Sequence, residues 1–247
     1  MYTSEIPGLI TVRTSSTRLP SKCLLDFGDC NVLTHVIRRA KHFGLWPIIC
    51  TSTDSTDDVI EEIARREKVD CFRGHLVNKL KRWSDCAQYF GLEYFHTVDA
   101  DDPFFDADEM KDSVELIRSQ KFDVVAPTTA SASGGASVGY SLLAEVVERA
   151  TALFPLESDT EMMWYFLKKV PGIRFTELDD RDPHGLPMRL TLDYPEDYWL
   201  LDSIRRIVGN FASRQQIVSL FRKNPDLFKI NWFRNDEFQA NQLAKAF

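Results

Sequence analysis

Strand-like and helix-like segments alternate along the first half of the chain. Short apolar runs at residues 8–12 and 47–51 are typical of buried strands, and residues 32–43 and 57–68 carry apolar side chains at helical spacing. This alternation predicts an α/β fold of three layers, in which helices flank both faces of a mostly parallel sheet. Ligands of such sheets bind beyond the carboxyl ends of the strands, so a site is expected in the loops that follow strands.

The alternation continues to about residue 126 and is less regular beyond it. The other predicted strands are 69–72, 94–98, 122–126, 173–178 and 188–192, and the other predicted helices are 79–90, 108–119, 142–153, 158–169, 195–208 and 214–222. The segment 131–139, SASGGASVG, favours either a mobile loop beside a site or a plain surface connection. A length of 247 residues suits one domain or two small ones, and we predict a single domain spanning 1–247.

Charge and composition argue against several classes of partner. A net charge of −7 disfavours nucleic-acid binding and a basic membrane-binding surface. No apolar stretch approaches the length that spans a bilayer and no signal peptide is visible, so we expect no membrane insertion. The five cysteines have no CxxC spacing and mostly adjoin apolar runs, which indicates reduced, mostly buried thiols in a cytoplasmic protein.

A cationic loop follows the first predicted strand. Residues 12–22, VRTSSTRLPSK, contain three cations, Arg13, Arg18 and Lys22, and five hydroxyl side chains, Thr14, Ser15, Ser16, Thr17 and Ser21. Pro20 prevents a regular helix through this stretch. Backbone N–H groups, hydroxyls and fixed positive charges in one loop can hold the phosphates of a nucleoside triphosphate. The alternative is a solvated basic turn.

An acidic loop follows the strand predicted at 94–98. Residues 98–106, VDADDPFFD, place Asp99 and Asp101 at the end of this strand, where carboxylates suit Mg²⁺. Asp193 ends the strand predicted at 188–192 and could complete a metal site. Carboxylate-bound Mg²⁺ opposite a cationic loop is the apparatus of phosphoryl or nucleotidyl transfer. The alternatives are a helix-capping turn at 101–106 and a cap at Asp193.

Three motifs in order carry a resemblance to a known family. They are RTSSTRLPSK (13–22), ADDP (100–103) and DYPED (193–197), and FRG (72–74) matches a further stretch. Together they resemble the SpsF-like cytidylyltransferases, which are relatives of the synthetases that make CMP-activated sugar acids of the Kdo and sialic-acid types. The resemblance covers nearly the whole chain and implies a Rossmann-like fold of the nucleotide-diphospho-sugar transferase type.

The resemblance also implies roles for individual residues. CTP would be bound by Arg13, Ser16, Arg18, Lys22, Arg73, Asn78 and Arg82, and Mg²⁺ by Asp101 and Asp193; Arg13, Lys22 and Asp101 would be catalytic, and Ser133, Tyr140 and Glu161 would contact the acceptor. The implied reaction joins CTP to a small acidic sugar, giving a CMP-sugar and pyrophosphate for polysaccharide biosynthesis. The implied assembly is a homodimer, with a region near 131–190 serving the acceptor and the dimer contact.

The chain departs from the family pattern at several positions. Ser15 and Ser21 replace loop glycines, Ala100 replaces a glycine, His75 follows FRG, and Gly139 replaces a frequent glutamate. Glycine allows backbone conformations that serine resists. The loop serines, Ala100 and His75 bear on CTP turnover, whereas Gly139 bears on the identity of the sugar.

Two other functions compete with the cytidylyltransferase hypothesis. Asp99-x-Asp101 has the DxD spacing of nucleotide-sugar glycosyltransferases, although a cationic loop suits a triphosphate better. Loss of the loop glycines is compatible with a non-catalytic nucleotide-binding protein. Pyrophosphate release distinguishes the three hypotheses.

His96, in the strand before the acidic loop, is interpreted as a packed core residue and not as a base.

Overall fold

A seven-stranded sheet forms the centre of the part of the chain that the computed structural model describes, residues 6–16, 18–180 and 185–244. The strands are β1 (Ile6–Thr11), β2 (Asp26–Phe27), β3 (Cys30–Asn31), β4 (Leu45–Ser52), β5 (Asp70–Gly74), β6 (Tyr94–Asp99), β7 (Val124–Ala126), β8 (Ser141–Leu143) and β9 (Phe175–Glu177). The sheet order is β5-β4-β1-β6-β8-β7-β9, and β2 and β3 form a separate hairpin. Only β8 runs antiparallel to its neighbours, so the sheet is mostly parallel, as predicted.

Helices cover both faces of the sheet. They are α1 (Val32–His42), α2 (Asp58–Glu67), α3 (Lys79–Phe90), α4 (Ala107–Arg118), α5 (Thr129–Ala132), α6 (Ala144–Ala152), α7 (Met163–Leu167), α8 (Pro195–Val208), α9 (Arg214–Lys223) and α10 (Asn235–Ala244). Side-chain caps fix where several of them begin: Asn31 accepts a hydrogen bond from the Thr34 amide, and Ser213 accepts one from the Gln216 amide. The predicted three-layer α/β fold is confirmed.

Successive residues of β1 point into two different cores, because side chains alternate along a strand. Ile10 packs with the apolar faces of α1, α2 and α4 on one side of the sheet. Leu9 packs with α3 and α6 on the other. A third cluster joins α8 and α9 to Phe27 and Phe104. The second half of the chain is thereby fixed against the loop that follows β6.

The segment 142–153 is partly a strand, which corrects the prediction of a helix. Residues 141–143 form β8, and the helix begins only at Ala144. Leu142 lies fully buried between β6 and β7, where a strand completes the sheet. A short apolar run does not distinguish a buried strand from a buried helix, so the pattern alone could not locate this boundary.

The helix predicted at 158–169 is confined to α7, Met163–Leu167. The preceding residues bond locally in other ways. The Thr160 hydroxyl accepts from the Leu80 amide and donates to the Asn78 side chain, and Asp159 accepts from the Glu161 amide. Such side-chain bonds compete with helical backbone bonds and explain why the helix starts late.

No strand forms at 188–192, so the prediction there is wrong. The Leu190 and Thr191 amides donate to the Gly134 carbonyl, and the Leu192 amide donates to the Asp101 carbonyl. The segment therefore connects two loops and does not extend the sheet. The segment 131–139 is not a plain surface connection, because Ala136 and Val138 are fully buried. Its Gly134 carbonyl also accepts the hydrogen bonds from Leu190 and Thr191.

Two further features concern membranes and thiols. None of the described helices has both the length and the apolar character needed to cross a bilayer. All five cysteines are free thiols, and Cys23, Cys50 and Cys86 are buried.

His96 is also fully buried, with its ring nitrogens bonded to the Ser141 hydroxyl and the Val138 carbonyl, which agrees with the prediction of a core residue.

We predict that acid destabilises the fold through His35 and His96. Burial lowers the pKa of each imidazole from 6.5 to about 4. Between these values the unfolded chain binds protons that the folded protein excludes. The contribution of the neutral histidines to the free energy of unfolding is therefore fully present above pH 6.5 and is lost as the pH drops towards 4. Each pKa unit corresponds to about 1.4 kcal/mol. Urea titrations at pH 7.5 and 5 measure the loss.

His35→Phe provides the comparison for this prediction. The variant keeps a ring between Phe27 and Phe104 but removes one titrating group. Its free energy of unfolding should depend less on pH between 6.5 and 4 than that of the unmodified protein. An identical pH dependence would contradict the assignment of a proton-excluding role to His35.

Candidate active site

The cationic and acidic loops meet because their strands are neighbours. β1 and β6 are adjacent and parallel, and Thr11 pairs with Asp99 at their carboxyl ends. The segments that follow therefore emerge side by side, as the fold class predicts. They enclose a cavity of about 520 Å³, called here the nucleotide cavity. Its lining comprises Thr11, Val12, Arg13, Ser15, Ser16, Arg18, Lys22, Cys23, Lys79, Asp99, Ala100, Asp101, Asp159, Glu161 and Asn241.

The Lys22 ammonium joins three distant parts of the chain. Its Nζ lies 2.6 Å from Asp101 Oδ2 and 2.8 Å from Asp193 Oδ1, and it donates to the Leu192 carbonyl at 2.8 Å. Burial alone would lower the pKa of Lys22, but the two carboxylates raise it. Lys22 is therefore a permanent positive charge in the floor of the cavity.

Asp193 is almost fully buried, with a side chain only 1% exposed, and is surrounded by cations. Arg18 Nη2 lies 2.6 Å from Asp193 Oδ1, and Arg189 Nη2 lies 3.4 Å from Asp193 Oδ2. Burial would raise the pKa of Asp193, but Lys22 and Arg18 outweigh it and hold the pKa at about 2. The carboxylate remains ionised across the whole physiological range of pH.

Asp197 organises the backbone around Asp193. It accepts hydrogen bonds from the amides of Asp193 and Tyr194 and from Asn231 Nδ2, and it pairs with Arg189 Nε at 2.9 Å. Pro195 begins α8 beside it, where a fixed φ and a missing N–H are tolerated. The DYPED sequence is thus both a helix start and a support for Asp193.

Arg13 spans the mouth of the cavity. Its Nη1 donates to the Leu76 carbonyl at 2.8 Å, and its Nη2 forms a salt bridge of 3.0 Å with Glu161 Oε2. Both side chains are partly exposed. Sequence reasoning placed Arg13 and Glu161 in different subsites, and the structure shows them in direct contact.

Asp57 anchors the start of the loop, and sequence reasoning missed it. Its Oδ1 accepts from the Thr14 amide and hydroxyl, and its Oδ2 accepts from the Ser52 and Thr51 hydroxyls. The hydroxyl-rich stretch TSTDSTD at 51–57 is the signal that could have indicated such a network.

The loop adopts a glycine-like conformation without the glycine. Ser21 has φ +52° and ψ 30°, in the left-handed region, just before a short turn of 3₁₀ helix at Lys22–Leu24. This conformation costs a non-glycine residue roughly 1 kcal/mol. Serine at this position therefore does not prevent the loop from presenting Lys22. Thr17 lies outside the described residues.

Three of the residues predicted to bind CTP, Arg73, Asn78 and Arg82, do not line the nucleotide cavity. Arg73 pairs with Asp58 and Glu61 on α2. Asn78 caps α3, and Arg82 is fully buried and donates to the His75 carbonyl. Nearby groups hold the Arg73 and Asn78 side chains, whereas Arg82 Nε and Nη2 are buried without a hydrogen-bond partner among the described residues. The role of these three residues in binding CTP stays a prediction.

A second cavity of about 500 Å³, called here the acceptor cavity, adjoins the first. It contains all three predicted acceptor residues, Ser133, Tyr140 and Glu161. Its other side chains include Trp164, Phe175, Phe238, Lys168, Thr129 and Ser137. Arg18, Lys79, Asp99, Asp101 and Glu161 line both cavities. Aromatic faces beside hydroxyls suit an acceptor that is apolar on its ring faces and polar at its edges.

Lys79 is a further site residue that sequence reasoning missed. It lies in the first turn of α3, and its Nζ is 3.2 Å from Asp99 Oδ1. Burial would lower the pKa of Lys79, but Asp99 raises it. Burial raises the pKa of Asp99. The nearby Asp101 carboxylate also raises this pKa, whereas Lys79 lowers it. The two strand-end acids therefore each face a lysine.

The donor set fits a divalent cation that is shared with phosphates. Among the residues that the structure describes, no group of three or more His, Cys, Asp and Glu side chains could hold a metal ion by itself. Asp101 and Asp193 nevertheless converge on one positive charge, the Lys22 ammonium. Magnesium commonly uses one or two carboxylates and completes its shell with water and substrate phosphates.

Comparisons with known proteins identify a matching family profile and a similar full-length sequence. A sequence profile described as cytidylyltransferase matches residues 8–216. The spore coat polysaccharide biosynthesis protein SpsF of Bacillus subtilis is 24% identical over 235 residues, covering 90% of this chain and 96% of that protein.

Two solved structures share the fold. A cytidylyltransferase from Leptospira borgpetersenii has a TM-score of 0.78 at 23% identity, covering 91% of this chain and 96% of that one. The CMP:2-keto-3-deoxy-manno-octonic acid synthetase complexed with CTP has a TM-score of 0.62 at 15% identity, covering 82% of this chain and 99% of that one.

We predict that Asp197→Ala strongly destabilises the protein. Arg189 and Asp197 are both fully buried, and removal of the carboxylate leaves a buried cation with too few partners. Breaking such a pair costs about 3 to 5 kcal/mol. Denaturant titration measures this loss. Glu62→Ala, which breaks an exposed pair with Arg66 on α2, is the control and should change stability little. Equal losses in the two variants would contradict the account of the Asp193 support.

Proposed function

Because the chain belongs to the cytidylyltransferase family, we propose that this nucleotidyltransferase joins the CMP unit of CTP to a hydroxyl group of a sugar acid and releases pyrophosphate. The observation that carries the proposal is the nucleotide cavity at the carboxyl ends of β1 and β6. Arg13, Arg18 and Lys22 reach this cavity from one loop, and Asp99 and Asp101 reach it from the other.

In this proposal the loop residues bind the triphosphate. The cations Arg13, Arg18 and Lys22 all line one cavity, and Ser16 lines it with them. Charge-assisted hydrogen bonds from such groups are the strong ones for phosphate oxygens. The same cations stabilise negative charge as it develops on the departing pyrophosphate.

Asp101 is the residue we assign to Mg²⁺, with Asp193 as its partner. The Asp101 side chain is 29% exposed and lines both cavities, whereas Asp193 is buried and lines only the acceptor cavity. When bound, Mg²⁺ offsets charge on the α-phosphate and orients it for in-line attack. Lys22, which contacts both carboxylates, keeps them together and fixes their orientation.

The acceptor approaches from the second cavity. Ser133 and Tyr140 line its wall, and the shared residues Asp99 and Asp101 mark where it opens onto the nucleotide cavity. A hydroxyl group of the acceptor would attack the α-phosphorus from this side and lose its proton to solvent. The bond from the α-phosphorus to the oxygen that bridges to the β-phosphorus would break on the other side, and pyrophosphate would leave. A homodimer and a cytoplasmic location stay predictions from the sequence.

We predict that pyrophosphate release requires Asp101. With CTP, Mg²⁺ and a panel of sugar acids and sugar phosphates, one acceptor should support release. Asp101→Ala should reduce this rate about a thousandfold or more, because metal and charge stabilisation supply several kcal/mol. A coupled pyrophosphate assay measures the rate, and ATP, GTP and UTP measure the preference for the base.

Asp108→Ala is the matched control. Asp108 is an exposed aspartate in the first turn of α4, outside both cavities, and its loss should leave the rate unchanged. Thermal melting establishes that both variants are folded. Full activity in a folded Asp101→Ala variant would remove Asp101 from the mechanism. CTP binding without release for any acceptor would favour a non-catalytic nucleotide-binding protein.

A further inference from the structure

The nucleotide cavity is electrically balanced as it stands. Its lining contains four cations, Arg13, Arg18, Lys22 and Lys79, and four acids, Asp99, Asp101, Asp159 and Glu161. A triphosphate brings several negative charges and needs cations that are not already neutralised. Some of the existing pairs must therefore open, or a divalent cation must enter, when a nucleotide binds.

The Arg13–Glu161 pair is the one best placed to open. Its N–O distance is 3.0 Å, and both side chains are partly exposed, at 28% and 35%. Lys22, by contrast, is less exposed, at 14%, and is held by two carboxylates and a carbonyl. Partly exposed ion pairs are weak, so a multivalent anion can displace the carboxylate at small cost.

Arg13 would remain in place after Glu161 leaves. Its other terminal nitrogen donates to the Leu76 carbonyl at 2.8 Å, and the next residue, Thr14, is bonded twice to Asp57. Glu161 has a second positive neighbour, since its charge helps to raise the pKa of Lys79. Glu161 can therefore separate from Arg13 and still lie near a positive charge, while the Leu76 carbonyl keeps Arg13 in place.

Glu161 also belongs to the wall of the acceptor cavity. It lines both cavities, and it immediately precedes Met162, Met163 and Trp164, which line the acceptor cavity. If Glu161 moves within the nucleotide cavity, the wall of the acceptor cavity therefore changes as well.

We propose that Glu161 is an internal substitute for a phosphate group: it occupies Arg13 until the triphosphate displaces it, and its displacement rearranges the acceptor wall. The proposal rests on the proposed function, because it requires CTP to bind in the nucleotide cavity. It assigns Glu161 a positioning role toward Arg13 in addition to the predicted contact with the acceptor.

The test compares affinities for CTP and cytidine. Glu161→Gln keeps the size of the side chain and removes its charge, so the Kd for CTP should fall about two- to fivefold, the range expected for loss of one competing surface pair. The Kd for cytidine, which has no phosphates, should stay the same. Calorimetry with Mg²⁺ measures the first affinity, and NMR titration measures the second.

Glu157→Gln is the matched control. Glu157 is an exposed acid in the same segment, lines neither cavity, and undergoes the same chemical change. An equal gain in this variant would reveal a general charge effect and overturn the proposal, as would an unchanged CTP affinity in Glu161→Gln. If neither the unmodified protein nor Glu161→Gln binds CTP, the proposed function itself fails.

Trp164 reports on the acceptor wall. The chain has five tryptophans, and the Trp164→Phe variant keeps the other four. Subtracting the fluorescence spectrum of this variant from that of the unmodified protein gives the emission of Trp164. CTP should change this emission and cytidine should not, and Glu161→Gln should show part of the change without nucleotide. Saturation with CTP and no change at Trp164 would overturn the link between the two cavities.

Discussion

The site depends on one partly buried ammonium group between two carboxylates. Lys22 follows β1, Asp101 follows β6, and Asp193 precedes α8, and the three meet within hydrogen-bond distance. Each charge would be costly to bury alone, so each fixes the position of the others. Arg18, Arg189 and Asp197 extend the network and hold Asp193 ionised. The two halves of the chain are thereby joined at the place where the chemistry is proposed.

This network also explains why the site is built from opposite charges and not from cations alone. Free cations gathered in one cavity would repel one another before any nucleotide arrives. In the observed structure Asp99, Asp101, Asp193 and Glu161 balance Lys79, Lys22, Arg18 and Arg13. Ligand binding then exchanges one set of partners for another. The most exposed of these pairs, Arg13–Glu161, lies at the boundary between the two cavities.

The sequence predicted the central sheet from its apolar periodicity. It also predicted that the two loops meet, because the carboxyl ends of parallel strands lie at one edge of a sheet. It did not predict that 188–192 would stay out of the sheet, since the Gly134 and Asp101 carbonyls that bind this segment are remote in sequence. The Arg13–Glu161 and Thr14–Asp57 contacts span 148 and 43 residues, and no local pattern encodes such pairings. Arg73 was assigned to the nucleotide by motif, yet the acids of α2 hold it outside both cavities.

The most direct test of this account is a crystal structure of the complex with CTP and Mg²⁺. The quantities to measure are the distances from Lys22 Nζ and from the Arg13 guanidinium to the nearest phosphate oxygens. The account predicts hydrogen-bond distances for both, with Glu161 displaced from Arg13. A nucleotide bound elsewhere, with the Arg13–Glu161 contact unchanged, would contradict it.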